Sequence, residues 1–465
     1  MNYIKEGIDI MELNKKVFRE YDIRGIYPSE LNEEFAYLLG RTFATKLLSI
    51  GKDKMIVGHD NRISSENLEK SLIKGLTEGG VNVVNIGLVT TPMYYYAWDK
   101  LDIKCGIMIT ASHNPKEYNG FKMSYNGIHN IFGKDVSDLY YIMLNGIFSD
   151  GKGNVINIDI KNDYVNMIHN HINMGKSKLK VVYDCGNGTT SVVAKDIFKN
   201  TDTIEYIPLF AESDPNFPNH HPDPCVEENL THLKEKVKEE KADCGIAFDG
   251  DGDRIGVVDE NGNFFEADEY MIAIWRDIYN KVDTKEGFFD VKCSKKLEDE
   301  MLKLGIKPVC VRTGNSYTKK ISYDGNYPFG GEYSGHIYFR DRFIGNDDGI
   351  YAGLRFVEIL SNGQKKASLL LNGVNKYYST PEVKIEVNDE KKDYIVSRVE
   401  EYCNKKEYKY LNIDGIKVLY DDGFALVRKS NTGPHLTVRY EAKTEEKLKE
   451  RQNEFNTLID KLKEE

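Results

Sequence analysis

The sequence lacks the features of a membrane or secreted protein. No apolar run approaches the roughly 18 residues that a membrane-spanning helix needs, and residues 1–10 lack the apolar core of a signal peptide. The seven cysteines are scattered without a Cys-x-x-Cys pair, which argues against a disulfide framework or a zinc ribbon. These absences predict a protein of the reducing cytoplasm.

An excess of positive charge is also lacking. Lysine and arginine number 63 against 74 aspartates and glutamates, which gives a net charge of −11. Because nonspecific binding to nucleic acid or to a membrane surface needs excess cationic side chains, we predict neither partner. An anionic ligand would have to meet lysines and arginines concentrated locally at its site.

The 465 residues predict about three domains. Three stretches have the pattern of a strand, a glycine-bearing turn and a helix; the strands are at 54–58, 180–184 and 288–292, and the helices at 64–79, 192–198 and 297–304. A further strand is predicted at 308–311. The tail differs, with alternating strands at 382–387 and 436–440 and a charged helix at 445–463. We therefore expect three α/β domains followed by a smaller α+β domain.

The first chemical motif is Thr-Ala-Ser-His-Asn-Pro at residues 110–115, which follows the apolar run 105–109. A serine before an Asn-Pro turn is commonly a plain turn residue. Ser112 is also a hydroxyl that can act as a nucleophile, and His113 beside it is a titratable neighbour. The serine alone does not decide between these interpretations.

The second motif supplies three carboxylates, Asp249, Asp251 and Asp253, between two short apolar runs. Mg²⁺ prefers oxygen ligands of this kind, and a serine that carries phosphate needs a hard cation. The aspartates also fit positions 1, 3 and 5 of an EF-hand, but Arg254 occupies position 6, where that loop needs glycine. A cation beside a metal site predicts that an additional anion binds there.

Two later motifs complete the set. Gly-Glu-Tyr-Ser-Gly-His occupies residues 331–336, and Arg-Lys-Ser-Asn-Thr-Gly-Pro occupies 428–434. The four motifs stand in the order found in the α-D-phosphohexomutases, and the last two most resemble the phosphomannomutase/phosphoglucomutase branch. The resemblance extends from residue 18 to residue 442. It implies a fold of four domains around a central active-site cleft, with domains at 1–159, 160–263, 264–374 and 375–465.

The resemblance also implies roles for residues of this chain. The catalytic residues it implies are Ser112, His113, Lys122, Arg24 and His336, where His336 and Lys122 compete as proton carriers. The metal ligands are Ser112, Asp249, Asp251 and Asp253. The substrate-binding residues are Tyr21, Arg254, Lys292, Asn315, Glu332, Ser334, His336, Arg428, Ser430, Asn431, Thr432 and Gly433. Within this set a carboxylate and a hydroxyl at 332 and 334 suit two neighbouring sugar hydroxyls, and residues 428–433 have the composition of a phosphate nest.

The activity implied is the interconversion of hexose 1-phosphate and hexose 6-phosphate, of mannose or glucose, through phosphoserine and a hexose 1,6-bisphosphate. Mg²⁺ is the expected cofactor and hexose 1,6-bisphosphate the expected activator. Three alternatives stay open: a metal-dependent phosphatase that uses the same serine, a mutase of glucosamine phosphate, and a catalytically silent sensor. The sequence does not determine the sugar, the direction or the oligomeric state. Asn315 stands where the branch usually has histidine, and residues 1–10 are expected to be an extension without a catalytic role.

Overall fold

The computed structural model describes residues 2–5, 13–363, 366–430, 433 and 435–465. The chain divides into two compact units, the first formed by Met1–Phe265 with Ser334–Leu370 and the second by Glu266–Tyr333 with Leu371–Glu465. Within the described ranges, every helix is too short or too polar to cross a membrane.

The first unit begins with a six-stranded mixed sheet. Its elements, in chain order, are β1 (Asn2–Lys5), β2 (Ile23–Ile26), α1 (Glu33–Ser49), β3 (Lys54–His59), α2 (Ser65–Glu78), β4 (Asn82–Leu88), α3 (Thr91–Lys100), β5 (Gly106–Ile109), β6 (Tyr118–Ser124), α4 (Lys134–Asn145), β7 (Ile147–Asp150) and β8 (Val155–Asn157). The strand order is β2-β6-β5-β3-β4-β8, and β1 pairs separately with β7. Every residue of the central strand β5 is buried, as expected for a strand covered on both faces. The strand and helix predicted at 54–58 and 64–79 are confirmed as β3 and α2.

A five-stranded sheet follows in the same unit. Its elements are α5 (Lys161–Asn170), β9 (Leu179–Asp184), α6 (Ser191–Ile197), β10 (Ile204–Leu209), α7 (Thr231–Glu240), β11 (Cys244–Phe248), β12 (Ile255–Asp259) and β13 (Phe264–Phe265). The order is β10-β9-β11-β12-β13. Strands β11 and β12 are antiparallel neighbours, so the aspartate loop is the connection of a hairpin. Its flanks are strands rather than the helices of an EF-hand.

The second unit opens with a third α/β segment. Its elements are α8 (Ala267–Ile278), β14 (Glu286–Asp290), α9 (Lys295–Lys303), β15 (Lys307–Val311), α10 (Asn315–Asp324) and β16 (Phe329–Gly331). Strand β14 runs parallel to both β15 and β16. Here the predicted strand 288–292 begins and ends two residues earlier. The chain then contributes β17 (Ile337–Phe339) and α11 (Gly349–Gly363) to the first unit.

The remainder of the second unit is an antiparallel sheet with two long helices. Its elements are β18 (Tyr378–Ser379), β19 (Val383–Glu386), α12 (Asp389–Lys405), β20 (Tyr410–Leu411), β21 (Ile416–Tyr420), β22 (Gly423–Lys429), β23 (His435–Ala442) and α13 (Glu445–Glu464). The two helices pack Val399 and Phe455 into one core with Val427 and Val438 of the sheet. The expected fold of three related α/β domains and a smaller α+β domain is therefore confirmed.

Candidate active site

Ser112 lies on the turn between β5 and β6, and its backbone has a φ of +52°. Left-handed backbone at a non-glycine residue costs of order 1–3 kcal/mol, so the surrounding structure must hold it in place. Part of that support is local, because the Ser112 N–H donates to Thr110 Oγ1 at 2.9 Å. The serine of the first motif thus occupies a strained turn at the end of a buried strand.

Arg62 supplies most of the remaining support for this turn. Its side chain is 3% exposed and uses all five guanidinium N–H groups. One donates to Asp60 Oδ2 at 3.2 Å. The other four donate to backbone carbonyls of the serine turn, namely those of Pro115 (2.7 Å), Tyr118 (3.0 Å), Ser112 (2.7 Å) and Asn114 (2.6 Å). One buried cation therefore fixes the whole course of residues 112–118.

Arg24 holds the same turn from β2. Its Nη1 donates to Asn114 Oδ1 at 2.7 Å and to the Ala111 carbonyl at 3.3 Å, while Nη2 donates to Asp22 Oδ2 at 2.6 Å. Tyr21, which precedes β2, is half-buried. Arg24 thus bonds to the serine turn through Nη1 and to Asp22 through Nη2.

The aspartate loop meets the serine. Ser112 Oγ donates to Asp249 Oδ2 at 2.7 Å, and all three aspartates of the loop are fully buried. A Cβ added to Gly250 would lie 2.5 Å from the Ser112 carbonyl oxygen, so only glycine permits this approach. The two motifs, which lie 137 positions apart in sequence, form one cluster.

Lys122 enters the cluster from β6. Its Nζ donates to Asp251 Oδ2 at 2.8 Å and to Asp253 Oδ2 at 2.6 Å. Burial alone would favour the neutral amine, but the two carboxylates outweigh it and raise the pKa of Lys122. Burial likewise opposes ionisation of Asp251, but Lys122 outweighs it and lowers the pKa of this carboxyl. Lys122 is therefore a charged donor at neutral pH.

The three aspartates fit a divalent cation. Each offers an oxygen, and these oxygens lie within 4.8 Å of one another. Asp251 Oδ1 and Asp253 Oδ1 are buried and, among the described residues, have no hydrogen-bond partner, an arrangement that is costly unless a ligand binds them. Burial and the neighbouring carboxylates Asp251 and Asp253 raise the pKa of Asp249, because both disfavour its charged form. Three oxygen ligands and a serine hydroxyl are the donor set that Mg²⁺ prefers.

Arg254 and His336 lie beside this cluster and are hydrogen-bonded to each other. Arg254 Nε donates to His336 Nε2 at 3.1 Å, so that nitrogen is an acceptor and the proton resides on Nδ1. His336 Nδ1 then donates to Asp347 Oδ2 at 2.9 Å. The predicted proton carrier His336 is thus held in a chain that orients Arg254, and Asp347 fixes its tautomer.

His113 lies beside the serine, with Nδ1 3.3 Å from Ser112 Oγ. Burial and the nearby cations Arg254 and Arg24 lower the pKa of His113 well below its usual value. The imidazole is consequently neutral at physiological pH.

Most of the other predicted binding residues lie in the second unit. Lys292 Nζ pairs with Glu382 Oε1 at 2.8 Å and lies 3.9 Å from Asp290 Oδ2. Glu332 is buried and its Oε2 accepts from the Gly314 N–H at 3.2 Å. Asn315 is buried as the first residue of α10, and Ser334, in the first unit, is half-buried.

Arg428 is buried near the end of β22, where its Nε donates to Asp414 Oδ2 at 2.9 Å. The loop after β22 is bound from α12, because Lys392 Nζ donates to the carbonyls of Ser430 (3.1 Å) and Gly433 (3.0 Å). Asn431 and Thr432, predicted to bind phosphate, lie outside the described residues.

Sequence reasoning missed several residues that contact this machinery: Asp60, Arg62, Thr91, Asp347, Lys392 and Asp414. A signal existed for the first two, since they directly follow the buried strand β3, where parallel strands place functional side chains. Thr91, whose hydroxyl donates to Asp251 Oδ2 at 2.6 Å, and Asp347 lie in segments with no distinctive spacing. Only the folded chain brings them to the site.

Comparison with known proteins identifies the family. Four profiles of phosphoglucomutase/phosphomannomutase match in order, for α/β/α domain I at residues 15–145, domain II at 162–262, domain III at 266–377 and the C-terminal domain at 382–458. Together they cover most of the chain. The protein therefore belongs to the phosphoglucomutase/phosphomannomutase family.

Individual relatives agree over nearly full length. The phosphomannomutase/phosphoglucomutase of Pseudomonas syringae pv. tomato is 41% identical, with 96% of this chain and 95% of that protein covered. The phosphoglucomutase of Neisseria meningitidis serogroup A is 37% identical, with 96% and 97% covered. The crystal structure of a Burkholderia thailandensis phosphoglucomutase/phosphomannomutase family protein superposes with a TM-score of 0.89 at 34% identity, covering 96% and 98% of the two chains.

Proposed function

We propose that this enzyme is a Mg²⁺-dependent phosphohexomutase that interconverts hexose 1-phosphate and hexose 6-phosphate, with mannose and glucose as its sugars. The observation that carries the proposal is the cluster in which the Ser112 hydroxyl, on a strained turn, bonds to the first of three buried aspartates. A transferable phosphoryl group on that oxygen would lie among cation ligands and basic side chains. The family relationship supports the same activity.

In the proposed reaction Ser112 carries phosphate at the start. The P–O bond to Ser112 Oγ breaks as the oxygen of the free hydroxyl on the bound hexose phosphate bonds to phosphorus. That hydroxyl loses its proton and Ser112 Oγ gains one, which gives a hexose 1,6-bisphosphate and a free serine. The bisphosphate turns end for end, and Ser112 Oγ then takes the other phosphoryl group. In this return step Ser112 Oγ loses the proton that it otherwise donates to Asp249 Oδ2 at 2.7 Å, and the sugar oxygen released from phosphorus gains one. The neutral His113 Nδ1 lies 3.3 Å from Ser112 Oγ.

Other side chains hold the reacting groups in place. Ser112, Asp249, Asp251 and Asp253 would hold Mg²⁺, which when bound neutralises charge on the transferring phosphoryl group. Lys122 and Arg254 place positive charge beside the serine. In the second unit we propose that Arg428 with the 430–433 loop binds the phosphate that is not transferred, and that Glu332 binds sugar hydroxyls.

We propose domain boundaries near residues 159, 263 and 374, and the division of the chain into four matched family segments supports them. A reducing compartment, the cytoplasm, is proposed on the cysteines, since all seven lie in the described part of the chain and outside disulfides. Hexose 1,6-bisphosphate would serve as the activator that phosphorylates Ser112.

The test is incubation with glucose 1-phosphate or mannose 1-phosphate, with and without hexose 1,6-bisphosphate, followed by product analysis. We expect the 6-phosphate with little inorganic phosphate, and stoichiometric release of phosphate would instead establish a phosphatase. Glucosamine 1-phosphate belongs in the same panel. Ser112→Ala should abolish conversion while binding of glucose 6-phosphate persists, and intact-mass analysis of the wild-type protein should map a phosphate to Ser112. Normal turnover by the alanine variant would refute the mechanism.

A further inference from the structure

Asp414 lies in the loop before β21 and is only 9% exposed. Its Oδ2 accepts two hydrogen bonds. One comes from Arg428 Nε at 2.9 Å, and the other from the Thr313 backbone N–H at 3.1 Å. A single carboxylate oxygen thus joins the strand that carries Arg428 to the loop that precedes α10. Both contacts lie within the second unit.

The next residue of that loop makes a matching contact. The Gly314 N–H donates to Glu332 Oε2 at 3.2 Å, so two consecutive backbone N–H groups bind Asp414 and Glu332. Gly314 has a φ of +130°, a conformation that other residues rarely adopt. The Thr313 hydroxyl also donates to Asp290 Oδ2 at 2.8 Å, which anchors the loop to β14. The loop is therefore a rigid spacer between the two carboxylates.

We propose that Asp414 is a positioning residue that fixes the distance between the phosphate-binding Arg428 and the sugar-binding Glu332. This inference rests on the proposed function, because it takes those two residues as the groups that bind a hexose phosphate. Arg428 alone has a flexible stem, and its Nε contact to Asp414 restricts the direction in which the guanidinium faces. When Arg428 binds the phosphate, the spacer then sets which sugar carbon lies opposite Glu332.

Asp414 should therefore affect how strongly the site prefers one hexose phosphate to another, and not only how tightly it binds them. Carbons 3 and 4 carry neighbouring hydroxyls with the same configuration in glucose and mannose. A site that binds such a hydroxyl through a buried carboxylate should prefer glucose 6-phosphate to its 3-deoxy or 4-deoxy analogue by roughly 10- to 150-fold. If Asp414 sets the spacing, removing its carboxylate lets the Arg428 guanidinium, and the phosphate bound to it, change position. The sugar hydroxyl and Glu332 then no longer lie within hydrogen-bond distance.

The experiment measures binding in a Ser112→Ala background, where turnover cannot intervene. Calorimetry gives the Kd of glucose 6-phosphate and of each deoxy analogue for the full-length protein with Asp414, with Asp414→Ala and with Asp421→Ala. Asp421 is the matched control, an exposed aspartate in the turn between β21 and β22. We expect Asp414→Ala to reduce the preference for the intact sugar by about fivefold or more, and Asp421→Ala to leave it unchanged.

Each outcome decides the matter. A weaker but equally selective Asp414→Ala protein, or one with unchanged binding, would overturn the positioning role, since a purely structural residue alters all ligands alike. If Asp414→Ala does not fold, Asp414→Asn takes its place, because the amide keeps one oxygen for Thr313 but removes the charge that holds Arg428. The same loss of preference is expected, smaller in size. Failure of the parent Ser112→Ala protein to bind any hexose phosphate would instead refute the proposed function.

Discussion

Replacing Arg62 by lysine tests whether the buried cation under the serine turn controls phosphoryl transfer. Arg62 makes five hydrogen bonds, four of them to carbonyls of residues 112–118. A lysine ammonium has three donors, so at least two bonds are lost. At about 1.5–3 kcal/mol for each charge-assisted bond, two bonds amount to about 3–6 kcal/mol. The left-handed backbone of Ser112 costs of order 1–3 kcal/mol, so the remaining contacts should no longer hold the turn.

Relaxation of the turn would move Ser112 Oγ away from Asp249. Because a displacement of about 1 Å at a reacting atom costs on the order of 100-fold, we expect kcat/KM of Arg62→Lys to fall about 100-fold. The rate at which hexose 1,6-bisphosphate phosphorylates Ser112, followed by intact mass, should fall in parallel. Binding of glucose 6-phosphate should change little, since Arg428 and Glu332 are untouched.

Arg355→Lys is the matched control for this experiment. Arg355 is a buried arginine of the same unit that bonds to both oxygens of Asp341 and to the Tyr351 hydroxyl. Its substitution should lower thermal stability without slowing Ser112 phosphorylation. If Arg62→Lys lowers stability as Arg355→Lys does but keeps kcat/KM within about threefold of the wild type, the serine turn does not depend on Arg62 and the reasoning is wrong.

Two further predictions concern metal and pH. Asp251→Asn removes one anionic oxygen from the cluster. The Mg²⁺ concentration needed for half-maximal activity, and that needed for half-maximal thermal stabilisation, should each rise at least roughly 10-fold. If neither concentration changes, Asp251 is not a ligand. His220 Nε2 lies 3.0 Å from Asp184 Oδ2, and although burial opposes protonation, this hydrogen bond and charge raise the pKa of His220. The stabilisation is therefore complete below the unfolded-state pKa of about 6.5 and is lost as pH rises through the higher folded-state pKa. His220→Gln should lower Tm by roughly 2–4 °C at pH 6, and this loss of Tm should shrink towards pH 9. His232→Gln, at an exposed histidine, should show no such trend. A loss of Tm that is independent of pH would exclude the ion pair.

Local patterns in the sequence were sufficient to predict the main secondary structure. Short apolar runs bounded by turn residues predict strands, and β3, β9 and β15 lie within one residue of their predicted bounds. The charged stretch 445–463 predicts a helix, and α13 ends one residue later, at Glu464. The strand predicted at 288–292 ends at Asp290, because the Asp290 carbonyl accepts from the Cys293 N–H at 3.0 Å and the chain turns there.

The candidate site was predictable as far as its chemistry lies in short motifs. A serine at a turn and three alternating aspartates predict a candidate phosphoryl carrier and a candidate cation site, because each motif is contained within six residues of sequence. Their contact, Ser112 Oγ to Asp249 Oδ2 at 2.7 Å, follows only from the folded chain, and so does the position of Lys122 between two of the aspartates.

What the sequence by itself determined is the family and the order of elements, since these depend on local composition and spacing; it also supplied the candidate reactive groups. What only the tertiary structure decided is how those groups are held and which protons they carry. Asp347 and Asp414 have no distinctive neighbours in sequence, yet each is buried against a functional side chain. Burial and pairing are properties of the packed chain, because a charge leaves water only where distant segments supply its partners.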